Sequence, residues 1–307
     1  MKSLLSHLCP VVMALALLAG CGDDDDRRQA GSDTGRQPAG NVNANDISRE
    51  PALQRLEFPR VKGGTSRVVI HSLDDRFGIN YSVEWDTGKR SQRWSCYQMY
   101  ADNRKATTKR YYGDPQYPFD PQLSAGEYFS YDPYYGSGYD HGHICPSADR
   151  LYSADANKQT FYLTNMQPQR NKFNAGIWEK MEGQLRKWLT DKSPRTDTLY
   201  VCKGGTIDAT TLVPSPLRET LGSGLPVPRY FFMALLMKNA SGYKALGFWA
   251  EHLDTDHSAD PLADYVVNIS ELQARTGIDF FCNLPDDVEN HVEKLPVEQV
   301  KTAWGLR

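Results

Sequence analysis

Two short stretches constrain this chain more than anything else in it. Asp140-His141-Gly142-His143 sets two imidazoles two residues apart with a glycine between them. On a strand both histidines would share one face, a metal-ligand spacing, and Gly142 would let the backbone turn sharply or come close to a ligand. Further on, Asn165-Met166-Gln167-Pro168-Gln169 precedes a segment from Asn174 to Leu189. There Trp178, Met181, Leu185 and Trp188 recur at steps of three and four, which predicts a helix with one buried face. Lys187 and Lys192 mark its end. Taken singly these features are weak. A His-x-His pair is often incidental, an asparagine at a helix start is ordinarily an N-cap, and a helical glutamate such as Glu182 is ordinarily solvated. Together they predict a strand and a helix meeting at one site.

The rest of the chain reads as support for that unit. Segments rich in β-branched and aromatic residues predict strands at Ser66–His71, Phe77–Trp85, Trp94–Tyr100, Thr198–Cys202, Tyr230–Met237 and Ala245–Trp249. Lys158–Leu163 is expected to lead into another strand, and the proline-bearing stretch from Pro115 to Pro133 to be loop. A second helix is expected over Val266–Thr276, stopped at Gly277. Strands outnumber helices and do not alternate with them, so the expected class is α+β. No repeat or low-complexity break interrupts residues 53–307, which are expected to form one domain.

The first 52 residues read differently. A positive start, Met1-Lys2, and an apolar run closing in Leu15-Ala16-Leu17-Leu18 fit a secretory signal; the run is too short to span a bilayer, which takes roughly 20 apolar residues. Leu18-Ala19-Gly20-Cys21 resembles the bacterial lipobox, which implies cleavage before Cys21 and acylation of its thiol. A signal peptide over 1–20 and a lipidated, flexible tether over 21–52 are therefore expected. The four acidic residues Asp23–Asp26 and an apolar-poor remainder cannot offset their own ordering entropy. This places the protein, exported, on a bacterial envelope membrane, the outer membrane or cell surface. In that oxidising setting at least one disulfide is expected among Cys96, Cys145, Cys202 and Cys282, with the pairing left open.

The two central stretches together resemble the DNA/RNA non-specific endonucleases of the ββα-metal (His-Me finger) superfamily. The family's Asp-Arg-Gly-His stands here as Asp140-His141-Gly142-His143. Its Asn-x-x-Pro-Gln, followed by Asn-x-Gly-x-Trp-x-x-Leu-Glu, stands as Asn165 to Gln169 and Asn174-Ala175-Gly176-Ile177-Trp178-Glu179-Lys180-Met181-Glu182. The tail Thr276-Gly277-Ile278-Asp279-Phe280-Phe281 also matches, so the resemblance runs over about residues 66–284. It implies a central, mostly antiparallel sheet flanked by helices, with a ββα active-site unit. It implies hydrolysis of DNA and RNA with His143 as general base, a side chain suited to that task near neutral pH. One Mg²⁺, or Mn²⁺ in its place, would be held by Asn174, with Glu182 acting through water. A hard cation that keeps most of its waters needs only one such carboxamide oxygen. By the same resemblance Asn165 and Gln169 support metal and phosphate, and an upstream arginine contacts the phosphate. Arg110 is the first choice and Arg104 the second.

His141 stands where the family has Arg. That removes a fixed positive charge, and weaker activity tilted toward lower pH is expected. The net charge of -3 signals no nucleic-acid partner, so any binding must use a local patch. Arg93, Arg104, Lys105, Lys109, Arg110, Arg170 and Lys172 are the candidates for it. Tyr111, Tyr112, Tyr134 and Tyr135 are candidates to stack bases, though loop packing is the commoner use of such residues. Two other readings compete: a zinc hydrolase built on His141 and His143 with His252 or His257, and a non-catalytic surface lipoprotein that binds nucleic acid without cutting it.

Overall fold

The computed structural model describes residues 40–306, and the expected signal peptide, Cys21 and the acidic run Asp23–Asp26 lie outside them. In chain order the strands are β1 Ser66–Ser72, β2 Ile79–Asp86, β3 Ser91–Tyr100, β4 Asp140–His143, β5 Met166–Gln169, β6 Thr198–Gly205, β7 Leu217–Thr220, β8 Pro226–Pro228, β9 Tyr230–Asn239, β10 Gly242–Glu251 and β11 Val266–Val267. The helices are α1 Ala154–Gln159, α2 Asn171–Phe173, α3 Glu179–Trp188, α4 Ile269–Thr276, α5 Asp286–Glu293 and α6 Val297–Trp304.

Seven strands form the main sheet in the order β1-β2-β3-β6-β9-β10-β11, and every neighbouring pair is antiparallel. Strand β9 is apolar over Tyr230–Met237 because both of its faces are covered. Phe231, Met233, Leu235 and Met237 of β9 enter one core with Leu199 and Val201 of β6 and with Phe173, Trp178, Met181 and Leu185. The alternate residues Phe232, Ala234 and Leu236 enter a second core with Leu272, Phe280, Phe281 and Val292. The period-two alternation of a strand thus sorts one run of apolar residues between two cores. The β4–β5 hairpin is separate from this sheet and is fastened to it by Gln167. That side chain donates to Gln92 O at 3.1 Å and accepts from Gly205 N at 2.6 Å.

The six expected main-sheet strands are present, mostly longer than expected, and the α+β class holds. Val266-Val267 is strand rather than the start of a helix. The helix after it begins at Ile269, capped by Asn268 and closed by Gly277 at φ 70°. Lys158–Leu163 holds the end of α1 and a turn before β5. The helices α5 and α6 carried no expectation.

Two further expectations are revised. The four cysteines are buried and free, so the expected disulfide is not formed. Cys96 and Cys202 are cross-strand partners on β3 and β6, and both belong to the second apolar core. The folded unit also reaches upstream of Leu53, into the expected tether. Asn41 donates to the carbonyls of Cys282 and Leu284 at 2.8 and 2.6 Å. Asn45 donates to Leu53 O and Pro59 O at 3.3 and 3.0 Å. An apolar-poor segment is held here by carboxamides rather than by buried hydrocarbon, and hydropathy alone does not see that. Among the described residues no helix is long and apolar enough to cross a membrane.

Candidate active site

The hairpin and the helical segment after it form the ββα unit. Asp140 pairs with Gln169, Gly142 with Gln167 and His143 with Met166. A π-helical turn over Asn174–Trp178 joins α2 to α3, with Gly176 at φ -105° and ψ -110°, off the helical values. Such one-turn bulges concentrate at functional sites. A Cβ at Gly176 would lie 3.3 Å from Asp256 Oδ1, so the missing side chain lets the 254–260 loop approach. Lys180 ties that loop down by donating to Ser258 O and Asp260 O at 2.9 and 2.6 Å.

A cleft of about 510 Å³ opens over this unit, lined among others by Arg110, Asp140, His143, Asn174, Glu182 and Arg186. His143 Nδ1 lies 3.3 Å from His141 O, a contact favourable only when Nδ1 carries the proton. The lone pair is then on Nε2, which is buried without a hydrogen-bond partner among the described residues. Burial first, and the nearby Arg110 charge second, push the His143 pKa down to about 3, so the ring is neutral at ordinary pH. Phe161 meets its ring edge-on at 4.8 Å. Across the cleft Asn174 donates through Nδ2 to Asp140 Oδ2 at 3.0 Å, as does Asn171. Asp140 therefore aligns the start of the helical segment, and the amide it fixes leaves Asn174 Oδ1 for another partner.

Glu182 is not free to hang into water. Its carboxylate accepts from Lys203 Nζ at 2.6 Å, and Lys203 is itself wholly buried. Lys203 lies on β6 beneath the helix, its ammonium 4.8 Å from the Trp178 ring. Burial raises the Glu182 pKa and the Lys203 charge opposes the rise. No sequence pattern pointed to Lys203: one lysine in an apolar strand is visible, but its partner on a distant helix is not. Arg186 also escaped notice. It is one helical turn from Glu182, lines the cleft and is held by Asp149 at 3.1 Å.

Of the two arginines expected for phosphate, Arg110 lines the cleft with its guanidinium 4.7 Å over the Phe161 ring. Arg104 instead turns to Asp149 at 3.6 Å. Arg93 is consumed by Asp86 and Asp208, at 2.6 Å each, and offers no surface charge. Asn165 and Gln169 do not line the cleft. Asn165 is a brace, accepting from Cys145 N at 2.8 Å and donating to Cys145 O and Thr160 O at 2.9 and 2.7 Å. Gln169 folds over Gly142, where a Cβ would come 2.3 Å from its Oε1, which explains the glycine there.

His141 also lines the cleft, but its ring is already engaged. Its Nε2 pairs with Asp132 at 2.9 Å, and its ring lies between Tyr117, stacked at 3.7 Å, and Tyr134 at 4.4 Å. Any charge it gains is countered by Asp132 rather than presented to a phosphate. Tyr134 is thereby used in packing, as is Tyr111 against Phe161, whereas Tyr112 and Tyr135 are exposed.

The histidines for a zinc centre do not converge. His252 accepts from Arg170 N at 2.7 Å and bonds Pro228 O at 2.9 Å, while His257 is taken by Thr255 and Asp260. Among the described residues the one group of three such ligands lies elsewhere, at Asp279, Glu289 and Glu293. The cleft instead gathers oxygen donors, Asn174, Asp140 and Glu182, beside a free imidazole nitrogen. That set fits a hard divalent cation such as a hydrated magnesium ion.

Comparison with known proteins agrees with this geometry. The mitochondrial nuclease EXOG of Xenopus laevis is 27% identical over 220 residues, 68% of this chain and 58% of its own length. The human EXOG is 26% identical over 283 residues, 85% of this chain and 67% of its own length. This chain thus spans little more than half of the Xenopus relative. A solved structure of an EndoG/EndoGI complex superposes with a TM-score of 0.58 at 19% identity, over 72% of this chain and 89% of that one, and shares the fold. The family described as DNA/RNA non-specific endonuclease matches residues 67–287, and the chain belongs to that family.

Proposed function

We propose that this protein is a metal-dependent endonuclease that hydrolyses phosphodiester bonds of DNA and RNA without sequence preference. One observation carries the reading: a neutral histidine, proton on Nδ1 and unpartnered lone pair on Nε2, faces the cleft that Asn174 and Glu182 also line. His143 Nε2 takes the proton of the attacking water. The Nδ1–H contact to His141 O steadies the imidazolium that results. Arg110 and Arg186 flank the cleft with permanent guanidinium charge, suited to the non-bridging phosphate oxygens. Asn174 would hold a divalent cation, Mg²⁺ by preference and Mn²⁺ in its place, with Glu182 reaching it through water; when bound, the ion neutralises charge on the phosphate and the leaving oxygen. Lys203 opposes the rise in the Glu182 pKa and holds the carboxylate in place.

Among the described residues, those available to grip nucleic acid are charges on the cleft rim and exposed tyrosines. Binding is then to the backbone, indifferent to sequence and weakened by salt. The lipobox-like Cys21 and the run before it support export and a lipid anchor in a bacterial envelope. A protein anchored that way would meet extracellular nucleic acid.

The test is digestion of covalently closed plasmid and of RNA by the full chain in Mg²⁺, Mn²⁺, Zn²⁺ or EDTA. Cleavage of both polymers in Mg²⁺, abolished by EDTA, is expected. Salt-sensitive binding of both with no cleavage in any metal would overturn the reading in favour of a binding protein. Cleavage restored by Zn²⁺ alone would overturn the oxygen-ligated site.

A further inference from the structure

On the opposite face of the sheet, α5 and the loop before it bring three carboxylates together. Oxygens of Asp279, Glu289 and Glu293 lie within 4.8 Å of one another, the diameter of a shell of oxygens at about 2.4 Å from a central Ca²⁺. Glu289 and Glu293 are each only 5% exposed. Glu293 Oε1 is buried with no hydrogen-bond partner among the described residues, and so is Asn43 Oδ1. An ionised oxygen buried without a donor is costly, and buried carboxylates are normally paired or bound to metal. Among the described residues none of the three has a lysine, arginine or histidine within ion-pair distance: Arg60 and Lys294 act on Asp279 and Glu293 only from further off, Gln273 donates to the other oxygen of Glu293 at 3.0 Å, and the charges felt by Glu289 are those of Asp279 and Asp286. Burial first, with that repulsion on Glu289 and repulsion from Glu289 and Asp279 on Glu293, pushes Glu289 up to about 7 and Glu293 up to about 8.

We propose that Asp279, Glu289 and Glu293 form a calcium-binding site, completed by Asn43. The Asn43 amide already points into the cluster, donating to Asp279 Oδ2 at 3.0 Å and Glu289 Oε1 at 2.8 Å. A half-turn of that amide replaces Nδ2 by the unpartnered Oδ1 and adds a fourth oxygen. Such a spread of hard oxygens suits Ca²⁺, whereas Mg²⁺ demands oxygens at about 2.1 Å in strict octahedral order. The ion would staple residues 41–45, the segment leading into the domain, to α5. It is a structural site on the face away from the cleft, so its occupancy is separable from catalysis.

The experiment is thermal unfolding of the full chain at neutral pH and constant ionic strength, in EDTA, Ca²⁺ or Mg²⁺. Wild type is compared with Asn174→Ala, Glu293→Gln and Glu289→Gln. At a hundredfold excess over Kd, Ca²⁺ should raise Tm by roughly 5 °C or more. The rise should persist in Asn174→Ala, which leaves this site whole, and vanish in both glutamine variants. Those variants should unfold in EDTA at or above the wild-type temperature, which shows that they fold. No rise in wild type, an equal rise with Mg²⁺, or a rise that survives Glu293→Gln and Glu289→Gln would overturn the proposal.

Discussion

Two buried glutamates, one on each face of the sheet, solve the same problem differently. Glu182 has Lys203 at 2.6 Å, a counter-charge supplied by the strand beneath it. Glu293 has other carboxylates and one oxygen with no partner. On the cleft face a counter-charge is supplied within the chain, so the carboxylate is fixed before anything binds. On the far face balance must come from outside, as a proton or a cation. A buried acid is thus a functional signal in both places, but of opposite kinds: one preorganised, one a receptor.

Breaking the first pair should have the largest combined effect, on stability and activity together. Lys203→Met leaves Glu182 buried without its partner and is expected to cost about 3–5 kcal/mol of stability, read as a lower denaturant midpoint, with activity lost alongside. The double variant Glu182→Gln/Lys203→Met should recover much of that stability but not the activity. Glu293→Gln should do the reverse in EDTA, staying neutral or gaining up to about 1 kcal/mol. If it destabilised as much as Lys203→Met, the two faces would not differ as described.

Removing residues 40–47 would sharpen the comparison from the other side. Asn41, Asn43 and Asn45 would leave with their bonds to residues 53, 59, 279, 282, 284 and 289. A loss of about 3–9 kcal/mol is expected at roughly 0.5–1.5 kcal/mol for each of these bonds, with the metal response of the far face abolished and cleavage intact.

The pH profile gives a smaller effect. His143 and His252 are held down to about 3 and about 4, in both cases first by burial. Their unfolded values lie near 6.5, so the unfolded chain binds protons more readily below that pH. Their contribution to stability is complete above about 6.5 and is lost as pH falls toward 3. In a Glu289→Gln/Glu293→Gln background, where the raised far-face carboxyls no longer offset it, stability from chemical denaturation should therefore decline over that window, while neutral His143 keeps the acid limb of single-turnover cleavage below 6.5. The smallest change is expected from His141→Arg. His141 is spent on Asp132 and two tyrosines, so any gain in rate should be minor. A tenfold gain would mean that the position reaches the phosphate after all.

How much of this was legible beforehand follows from range in sequence. The main strands could be read because each carries its own alternation or apolar run, and the ββα unit because its residues keep fixed local spacing. His143 and Asn174 could be placed in one cleft on that basis, whereas Arg110 rests on the family resemblance, as the first of two candidate arginines. Lys203 could not, since its meaning depends on a helix reached only through tertiary packing. The resemblance suggests metal and phosphate for Asn165 and Gln169, yet the Asn165 amide braces backbone at Cys145 and Thr160 and the Gln169 amide packs on Gly142, a difference of direction that spacing does not carry. The docked segment at 41–45 escaped because asparagines anchoring backbone carbonyls look like the polar composition of a tether.

The most direct measurement is single-turnover cleavage of closed circular plasmid in Mg²⁺ by wild type and by His143→Ala, with folding of both checked by thermal unfolding. A well-folded His143→Ala slower by about 10²- to 10⁴-fold is the expected result. Equal rates in the two proteins would contradict His143 as the base, and with it the reading of this cleft as the active site.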